Sequence, residues 1–413
     1  MSESLNGIPC EGWTKVTLGD IARNITENEY KPSEKGLDRC VGLEHLDPGS
    51  LKICRWSPIT PEMSFTRRFY RGQILFGKRR AYQKKVALAD FDGICSSDIL
   101  VIETKKGNFV PDLLPFIVQD DRFFEYAVGT SSGSLSPRTK WKYLADYEIW
   151  LPSLDEQRRI ATTLWAAEDC IVKGERLVVA AERAKQVLMR ELFSKGIGHK
   201  EFQEVRGFGS LPKKWEVLHL SDLLVESIRN GAFIQKNNSD IVVPFLNVVD
   251  VYKNSVVNIS ELEKVQCSKA DYENYQLQEN DLLYVRSSLR REGIAQCCMV
   301  GYLPQKTIFD CHLMRVKLNE EKYYPKYVLF YSISTRGRKQ LLNLSKTTTM
   351  STVDQKDLGS FSIPIPPLPE QRQIASILTR CDETIAAARA NVGAAKALKM
   401  KMINEMLVPQ NSG

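Results

Sequence analysis

The sequence lacks the features that mark several large classes of protein. No stretch approaches the roughly 18 consecutive apolar residues of a membrane-spanning helix. The chain opens with Met1, Ser2 and Glu3 instead of the basic and apolar segments of a secretory signal. Ten cysteines occur among 413 residues, and none lies in a CxxC or zinc-finger spacing. We therefore expect a protein of the cytoplasm with reduced, mostly buried thiols.

Signatures of catalysis are equally scarce. The sequence has four histidines and no GxxxxGK[ST], HExxH, Gly-rich nucleotide turn or Asn-Pro-Pro-Tyr motif. The one enzyme candidate is Asp92 followed by Glu103 and Lys105, a spacing that metal-dependent nucleases use to hold Mg²⁺. Such spacings also arise by chance in a charged chain, so a nuclease stays an alternative interpretation.

The overall charge excludes little. The chain has 57 Lys and Arg against 50 Asp and Glu, a net charge of +7, and 43% of its residues are hydrophobic. This composition predicts an ordinary globular protein of about two or three domains. A balance so close to neutral supports nucleic-acid binding only weakly, and the position of the charge matters more.

An internal repeat organises the chain. The segment 149–164 recurs as 363–378 with nine identities in sixteen positions at an offset of 214. Further upstream, Trp13 corresponds to Trp215 at an offset of 202, and the segment 72–87 corresponds to 280–295 at an offset of 208. Each copy is therefore one divergent module followed by one similar tail.

The tails have a heptad pattern. The apolar positions alternate in spacings of four and three, which predicts two helices of about 38 residues, each roughly 57 Å long. Both include one lysine at the same step, Lys185 and Lys399. An antiparallel intramolecular coiled coil is the natural pairing, although both helices could instead pair with partner proteins. The predicted seam positions are Ile160, Leu164, Ala167, Ile171, Gly174, Val178, Ala181, Lys185, Leu188 and Leu192, with Ile374, Leu378, Cys381, Ile385, Ala388, Val392, Ala395, Lys399, Met402 and Met406 in the second copy.

The modules predict an α+β protein of two pseudo-repeated α/β domains joined by the two helices. Short apolar runs predict strands at 74–76, 86–88 and 99–102, and at 282–285 and 294–295. Proline in a first turn predicts a helix start near 111–117 and again near 324–330. The predicted boundaries are 1–150 and 201–365 for the modules, and 151–200 and 366–413 for the helices.

A basic patch lies in the first module. Residues 66–85 carry eight basic side chains and no acid, and five of them fall in the loop 78–85 between two predicted strands. Arginine and lysine reach phosphates or guanine, glutamine can pair with adenine, and tyrosine can stack on a base. A solvated loop is the plain alternative. The candidate DNA-binding residues here are Arg67, Arg68, Lys78, Arg79, Arg80, Tyr82, Gln83 and Lys84.

The second module has a basic and polar loop at the aligned place. Its candidate residues are Arg286, Ser287, Arg290 and Arg291. Loops at aligned positions of a repeat that carry different side chains are typical of two DNA-binding domains that recognise different base sequences. Hydroxyl-rich segments at 131–140 and 345–352 are also aligned, and they suit either phosphate contacts or plain turns.

The architecture resembles the DNA specificity subunit of type I restriction-modification systems. The resemblance covers essentially the whole chain and is carried by Trp13 and Trp215, and by the segments PSLDEQR (152–158) and PLPEQR (367–372) that open the two helices. It implies two variable target-recognition domains, each reading half of a split DNA site, with the paired helices as a ruler between them. The base-reading residues of such variable domains do not transfer between relatives.

The same resemblance implies a non-catalytic chain. Two modification subunits would supply S-adenosylmethionine and adenine methylation, and two restriction subunits would add ATP- and Mg²⁺-dependent translocation and cleavage. No cofactor or metal is expected in this chain itself. Two other hypotheses stay open: a nuclease that uses Asp92, Glu103 and Lys105, and a coiled-coil adaptor that binds only proteins.

Overall fold

The chain divides into two compact units. The structure, a computed structural model, describes residues 12–234, 241–257, 262–347 and 351–409. Unit 1 comprises Met1–Val178 and Ala387–Gly413, and unit 2 comprises Val179–Ala386. Each unit therefore contains one divergent module together with a segment of each long helix.

Unit 1 is built on a four-stranded antiparallel sheet in the order β2-β9-β6-β7, beside a second sheet in the order β4-β3-β8-β5. The first strand pairs with the last, β1 with β10, immediately before the long helix begins. The strands predicted at 74–76, 86–88 and 99–102 are confirmed. The strands are β1 (Thr14–Thr17), β2 (Ala22–Ile25), β3 (Arg39–Val41), β4 (Ser57–Pro58), β5 (Arg67–Phe69), β6 (Ile74–Gly77), β7 (Val86–Leu88), β8 (Gly93–Cys95), β9 (Ile99–Thr104) and β10 (Glu148–Leu151), and the helices are α1 (Leu18–Ile21), α2 (Leu114–Ile117), α3 (Asp121–Gly129), α4 (Trp141–Leu144) and the start of α5 (Leu154–Lys195).

Unit 2 repeats this plan with additions. Its main sheet has the order β14-β22-β18-β20-β16, so β14, β22, β18 and β20 take the places of β2, β9, β6 and β7. Smaller sheets have the orders β17-β15-β21 and β19-β24-β23, and β13 pairs with β25 before the second long helix. The strands are β11 (Phe202–Val205), β12 (Gly209–Pro212), β13 (Glu216–His219), β14 (Arg229–Asn230), β15 (Val242–Leu246), β16 (Val256–Val257), β17 (Lys264–Gln266), β18 (Leu282–Val285), β19 (Ser287–Ser288), β20 (Cys297–Val300), β21 (Ile308–Phe309), β22 (Leu313–Val316), β23 (Lys346–Thr347), β24 (Ser351–Thr352) and β25 (Ser362–Ile365), and the helices are α6 (Val248–Val251), α7 (Lys269–Asn274), α8 (Pro325–Ile333), α9 (Thr335–Asn343), α10 (Gln355–Gly359) and α11 (Leu368–Met406). The strand predicted at 282–285 is confirmed as β18.

The two long helices, α5 and α11, confirm the heptad prediction. They have 42 and 39 residues, and every predicted seam position is buried or half-buried. The backbone amide of Glu156 donates to Ser153 Oγ at 3.4 Å at the start of α5, and Gly196 ends that helix with a left-handed φ of 62°. In unit 1 a Cβ added to Gly174 would lie 2.7 Å from Val392 Cγ2. Small seam residues therefore let the helices approach closely.

In unit 1 the seam contains a fully buried lysine. The Lys399 ammonium donates to Glu168 Oε2 at 2.6 Å, to the backbone oxygen of Gly49 at 3.0 Å and to Gln119 Oε1 at 3.1 Å. Glu168 of α5 thus lies opposite Lys399 of α11. A second pair joins Glu175 to Lys396 at 2.7 Å. Because α5 numbers rise as α11 numbers fall, the helix segments of unit 1 are antiparallel.

In unit 2 the equivalent lysine is less buried. Lys185 forms an ion pair with Asp382. Its ammonium also lies 5.3 Å from the centre of the Phe330 ring. Glu168 and Asp382 are 214 residues apart, as are Lys185 and Lys399, so the repeat places the same acid-lysine pair across the seam in both units. A polar pair in an apolar seam favours one register over slipped alternatives.

Each module packs onto the start of its own helix and the end of the other. The core of unit 1 contains Ile160 and Leu164 of α5 and Ile403 of α11. The core of unit 2 contains residues from the last turns of α5 and the first turns of α11, among them Phe193 and Ile374. The long helices are therefore part of both cores and are not added to finished domains.

A buried glutamine joins each module to its helix. Gln157 donates to the backbone oxygen of Pro152 at 2.9 Å and accepts from the Val110 amide at 3.0 Å. Gln371, at the same place in the repeat, donates to the Pro366 carbonyl at 2.8 Å and accepts from the amide of Tyr324 at 2.8 Å. Both joints use main-chain groups of the module.

Two simpler expectations concern the cysteines and membrane helices. Nine cysteines lie in the described ranges and all are free, with Cys40, Cys95, Cys267, Cys297 and Cys298 buried. In those ranges, no helix combines the length and apolar character that crossing a membrane requires.

Candidate nucleic-acid interface

The basic loop of unit 1 lies between β6 and β7, as predicted. Two non-glycine residues with left-handed backbone, Arg80 (φ 54°) and Lys84 (φ 51°), flank a short 3-10 turn at Ala81–Gln83. This conformation is uncommon for residues with side chains and concentrates at functional turns. The turn leaves Gln83 half-buried and the side chain of Tyr82 55% exposed. An exposed aromatic ring therefore stands among the basic groups.

The hydroxyl-rich segment 131–140 pairs with this loop. The Arg80 amide donates to the Pro137 carbonyl at 2.8 Å, and Arg79 pairs with Arg138 as an antiparallel bridge. The Arg79 guanidinium also donates to Ser136 Oγ at 3.0 Å. Two segments that the sequence treats separately thus form one surface.

A single carboxylate organises the cations of this surface. Asp98 accepts hydrogen bonds from Arg79 Nη1 at 3.2 Å and from Arg138 Nε at 2.7 Å. Partial burial alone would raise the pKa of Asp98, but the bonds from Arg138 and Arg79 lower it below its ordinary value. Asp98 is therefore ionised at neutral pH. Lys78 also interacts electrostatically with Asp98, so three cationic side chains lie near one anion.

Lys78 is crowded by charge of its own sign. Burial lowers the pKa of Lys78, the nearby Asp98 raises it, and the charges of Arg67 and Arg138 lower it further. The Nη1 atom of Arg67 is buried without a hydrogen-bond partner among the described residues. An anionic ligand would relieve both conditions, because it offers acceptors and opposite charge.

Two other candidates have their charge engaged within the unit. The Arg68 side chain is 16% exposed, donates to Glu29 at 3.3 Å and has its guanidinium 4.6 Å from the centre of the Tyr70 ring. Lys84 forms an ion pair with Asp121 at 2.5 Å. A contact from either residue to DNA would have to compete with these partners.

In unit 2 the aligned loop lies between β18 and β20. Ser287 begins strand β19, which pairs with β24, and the exposed Arg290 and Arg291 lead into a 3-10 turn at Arg291–Gly293. Arg286 is also exposed. A cleft of about 840 Å³ opens beside the loop, with Tyr252, Ser287, Arg290, Gln296 and His312 among its lining residues.

The strand predicted at Ile294 and Ala295 is wrong. Ala295 has a φ of 50°, and the Arg338 guanidinium donates to the Ala295 carbonyl at 2.6 Å and to the Ile294 carbonyl at 2.8 Å. The strand begins later, at Cys297. The loop between β18 and β20 is three residues longer than the loop between β6 and β7, counted between paired strand residues. The constant offset of 208 used in the sequence alignment therefore misaligns the end of this loop.

The backbone frames of the two loops are equivalent. In unit 1 the Lys78 amide donates to the Asp98 carbonyl at 3.0 Å, and in unit 2 the Arg286 amide donates to the His312 carbonyl at 2.7 Å. Lys78 and Arg286 differ by 208 positions, and Asp98 and His312 by 214, which are the offsets of the repeat.

The pairing with the late polar loop is equivalent too. Arg79 pairs with Arg138 in unit 1, and Ser287 pairs with Thr352 in unit 2. These four residues obey the same two offsets. Positions 348–350 of the second hydroxyl-rich segment lie outside the described residues. Each unit therefore places one loop beside the other in the same register, with different side chains on the frame.

The candidate nuclease residues have separate partners. Glu103 accepts from Arg23 Nε at 2.8 Å, and this bond is the largest of several effects that lower the pKa of Glu103. Asp92 accepts from the Arg71 amide at 2.8 Å, and the Lys105 ammonium donates to a backbone oxygen. Each group is thus held by contacts of its own.

In the described part of the chain, one group of three potential metal ligands comes within 4.8 Å: Asp310, Cys311 and His312. Asp310 accepts from the His312 amide at 2.6 Å, and His312 Nδ1 lies 2.8 Å from Ser287 Oγ. Burial raises the pKa of the Cys311 thiol, which disfavours the thiolate that metal binding needs. Hydrogen bonds within the loop account for this grouping.

Sequence reasoning missed three residues of the surface: Asp98, Arg138 and His312. The first and last end the turn before β9 and β22, and Arg138 lies in a segment interpreted only as hydroxyl-rich. Their signal was the repeat itself, because the offset of 214 aligns Asp98 with His312 at the entrance to matching strands.

Comparison with known proteins agrees with this architecture. The type I restriction enzyme MjaVIII specificity subunit of Methanocaldococcus jannaschii is 24% identical over 351 residues, covering 81% of this chain and 75% of the relative. The EcoKI specificity subunit of Escherichia coli is 25% identical over 245 residues, covering 58% and 51%. A chain from a solved type I R-M system has a TM-score of 0.57 at 20% identity, covering 96% of this chain and 98% of that one. This structural likeness concerns the fold.

The sequence model of one family matches both modules. Its description is type I restriction modification DNA specificity domain, and it matches residues 10–177 and 212–392. Each match takes in a divergent module and much of the helix that follows it. The chain therefore belongs to the family of type I restriction-modification DNA specificity domains.

Proposed function

We propose that this chain is the DNA specificity subunit of a type I restriction-modification complex, in which each unit reads one half of a bipartite target. The observation that carries the proposal is the pair of loops in each unit, held in the same register on matching strands but bearing different side chains. Such an arrangement suits two readers with one docking geometry and two base sequences.

The chain acts in this proposal without chemistry of its own. Two modification subunits bind S-adenosylmethionine and methylate adenine, and two restriction subunits use ATP and Mg²⁺ for translocation and cleavage in the cytoplasm. The hydrogen bonds that engage Asp92, Glu103 and Lys105 separately support a non-catalytic role, because a nuclease needs its carboxylates on a common metal ion.

We also propose that the lengths of α5 and α11 set the number of base pairs between the half-sites. The acid-lysine pairs support this role. A coiled coil with polar seam residues at fixed steps keeps one register, and a fixed register gives a fixed length.

The affinity of each surface has two sources. Lysine and arginine contacts to phosphate make binding depend on salt, with a slope of about one unit for each phosphate neutralised. Contacts to base edges add discrimination without changing that slope. The clustered cations of unit 1 and the exposed arginines of unit 2 provide for both.

The decisive experiment is methylome sequencing of cells that carry the modification subunit with or without this chain. The expected result is a split adenine-methylated motif that appears only with the chain. Exchanging residues 1–150 for the matching module of a relative should then change one half of that motif. A change in both halves would refute the modular interpretation.

In vitro work separates this proposal from the other hypotheses. Purified chain alone should neither cut DNA with Mg²⁺ nor methylate it with S-adenosylmethionine, and the complex with modification subunits should bind DNA with a strong salt dependence. Cleavage by the isolated chain would establish a nuclease. Absence of salt-dependent DNA binding in the complex would favour a protein adaptor.

A further inference from the structure

Three side chains meet at the equivalent point of each unit. In unit 1 they are Arg79 on the first loop, Asp98 before β9 and Arg138 on the second loop. The backbone hydrogen bonds and the pairing of the two loops align them with Ser287, His312 and Thr352. These positions come from three separate segments. In each unit two of them pair directly across the two loops, and the third precedes the matching strand and bonds to the first loop.

The unit 1 set orients an arginine fork toward solvent. Asp98 is 16% exposed and binds Arg138 through Nε at 2.7 Å and Nη2 at 3.5 Å. The Arg138 side chain is 48% exposed. A guanidinium has five N–H donors in a fixed plane, so two contacts with a carboxylate leave the outer edge free to donate. Arg79 holds the same carboxylate from the other side.

The unit 2 set has different chemistry on the same frame. Ser287 Oγ lies 2.8 Å from His312 Nδ1, which leaves Nε2 of an exposed imidazole for another partner. Thr352 is also exposed. This set has no guanidinium fork and offers one ring nitrogen and a hydroxyl, so it cannot make the two parallel N–H contacts that arginine makes.

We propose that Arg138 reads a guanine in the half-site bound by unit 1, with Asp98 and Arg79 as positioning residues. This inference rests on the proposed function. Guanine presents the acceptors O6 and N7 side by side in the major groove, and a planar arginine fork matches both. The fork can also bind phosphate, but that contact gains more from net charge, which the Asp98 carboxylate partly offsets here, and the same carboxylate fixes the orientation of the plane for a base edge.

The aligned position then makes the two half-sites different. His312 occupies in unit 2 the place that Asp98 has in unit 1, and no arginine lies at the place of Arg138. The guanine contact therefore belongs to one half-site only. At the matching step the other half-site is read by a single donor or acceptor on His312.

The experiment uses the complex with its modification subunits and the motif found by methylome sequencing. The unit 1 half-site is the half that changes when residues 1–150 are exchanged. Each guanine in that half is replaced in turn by 7-deazaguanine, which lacks the N7 acceptor, and the Kd is measured for wild type and for Arg138→Lys. The lysine variant keeps the charge and the ion pair with Asp98 but does not have the planar fork.

For wild type, one position should weaken binding by about 5-fold, the lower end of the range for a bidentate interaction with a base, because only one of the two acceptors is lost. Arg138→Ala, measured in the same way, should bind the normal and the substituted duplex alike, because alanine has no donor for the guanine edge. Arg138→Lys can still donate to that edge, so it should keep the wild-type salt slope and a reduced sensitivity to 7-deazaguanine. Asp98→Asn, a second variant, should reduce the sensitivity to 7-deazaguanine without abolishing it. His312→Asn is the matched control, and its effects should be confined to the other half-site.

A purely structural ion pair would give other results. Arg138→Ala would then keep the full sensitivity to 7-deazaguanine, and that outcome would overturn the proposal. A unit 1 half-site without guanine would overturn it as well. Failure of the proposed function is distinct, because wild type would then yield no split motif at all.

Discussion

The helical seam carries one ion pair in both units but buries it to different depths. Lys399 of unit 1 has no solvent exposure and donates to Gly49 as well as to Glu168. Lys185 of unit 2 retains 11% exposure and its partner Asp382 retains 39%. The same position in the repeat is therefore a lysine in both units. In unit 1 the loop at Gly49 also contacts this lysine, and its side chain is completely buried.

A second difference lies in the turn before the central strand. In unit 1 the neutral Gln73 accepts from the Tyr70 amide at 2.8 Å, and in unit 2 Asp281 accepts from the Gln278 amide at 2.8 Å. Both side chains are buried, with 4% and 2% exposure. Burial raises the pKa of Asp281 to about 6. We therefore expect the turn at Asp281 to respond to pH near this value, whereas the side chain of Gln73 does not titrate.

Together the two differences show which features of the repeat are fixed. The hydrogen-bond acceptor in the turn and the lysine in the seam persist, since each satisfies a geometric need of the frame. The charge and the burial around them differ, since they depend on segments that are not shared. Four sets of variants test this division between the fixed and the variable features.

The largest effect should come from lengthening both helices by one heptad, after Ala181 and after Ala395. The insertion keeps the seam in register and lengthens each helix by about 10 Å, the rise of roughly three base pairs. Three base pairs also rotate the far half-site by about 100°, whereas a heptad hardly rotates the helix. We expect either a longer spacer in the methylated motif or loss of methylation with the fold intact.

Methylome sequencing and circular dichroism measure the two outcomes of that insertion. The insertion leaves the Glu168–Lys399, Glu175–Lys396 and Lys185–Asp382 pairs in their own units, so loss of folding is not expected. If the variant methylated the original site with its original spacer and rate, the helices would not act as a ruler.

The next largest effect concerns the seam lysines. Lys399→Met leaves Glu168 buried without its counter-ion and should cost about 3–5 kcal/mol of the stability of unit 1. Lys185→Met leaves the more exposed Asp382 and should cost about 1 kcal/mol in unit 2. Amide hydrogen exchange of α11 peptides measures both. Adding Glu168→Leu to Lys399→Met should restore most of the lost stability of unit 1. Equal losses of stability in the two units would show that the depth of burial does not set the effect.

A smaller effect is expected from the loops that face DNA. Replacing Arg79, Arg80 and Lys84 with alanine should weaken DNA binding by the complex, by about 1–3 kcal/mol for each side chain that reads a base, and the salt slope should flatten by about one unit for each phosphate that is no longer neutralised. The counterpart in unit 2 replaces Arg290 and Arg291. Binding titrations at several salt concentrations measure both. Unchanged affinity and specificity in the unit 1 variant would exclude its loop from the interface.

The fourth effect, which should appear only as pH changes, comes from Asp281→Asn. Because the pKa of Asp281 is raised in the folded state, folding favours the protonated acid. The contribution of Asp281 to the stability of unit 2 is therefore complete below about pH 4 and is lost as pH rises through about 6. The amide should therefore stabilise unit 2 at neutral pH, by about 3 kcal/mol at most. The control Gln73→Glu should destabilise unit 1 at neutral pH. Hydrogen exchange at about pH 5 and about pH 8 measures the difference, and a pH-independent effect would contradict it.

The sequence predicted what is periodic or local. The seam positions of α5 and α11 follow from spacing, because a heptad pattern fixes which residues are buried. The pairing of the two helices with each other is seen only in the structure. Short apolar runs predicted the strands on either side of the loop 78–85. The same kind of prediction was wrong at Ile294 and Ala295. There the loop is three residues longer than in unit 1, and the Arg338 side chain binds both carbonyls in a turn.

The surface proposed to face DNA was harder to predict because its parts are distant in the chain. Asp98 and Arg138 are 40 residues apart and meet only after β6, β9 and the late loop have paired. Arg68 shows the converse, since it lies in a basic run but is held by acids from another segment. Charge runs locate a loop, whereas tertiary pairing decides which of its charges are free.

The glutamine joints have a consequence for how such proteins diversify. Gln157 and Gln371 bind their modules only through backbone amides and carbonyls, which every sequence supplies. A joint of this kind places no demand on the neighbouring side chains. A recognition module can therefore accumulate substitutions without losing these hydrogen bonds, while its apolar packing on the two helices remains a separate requirement. Part of the attachment between each module and its helix is thus independent of the amino-acid sequence of the module.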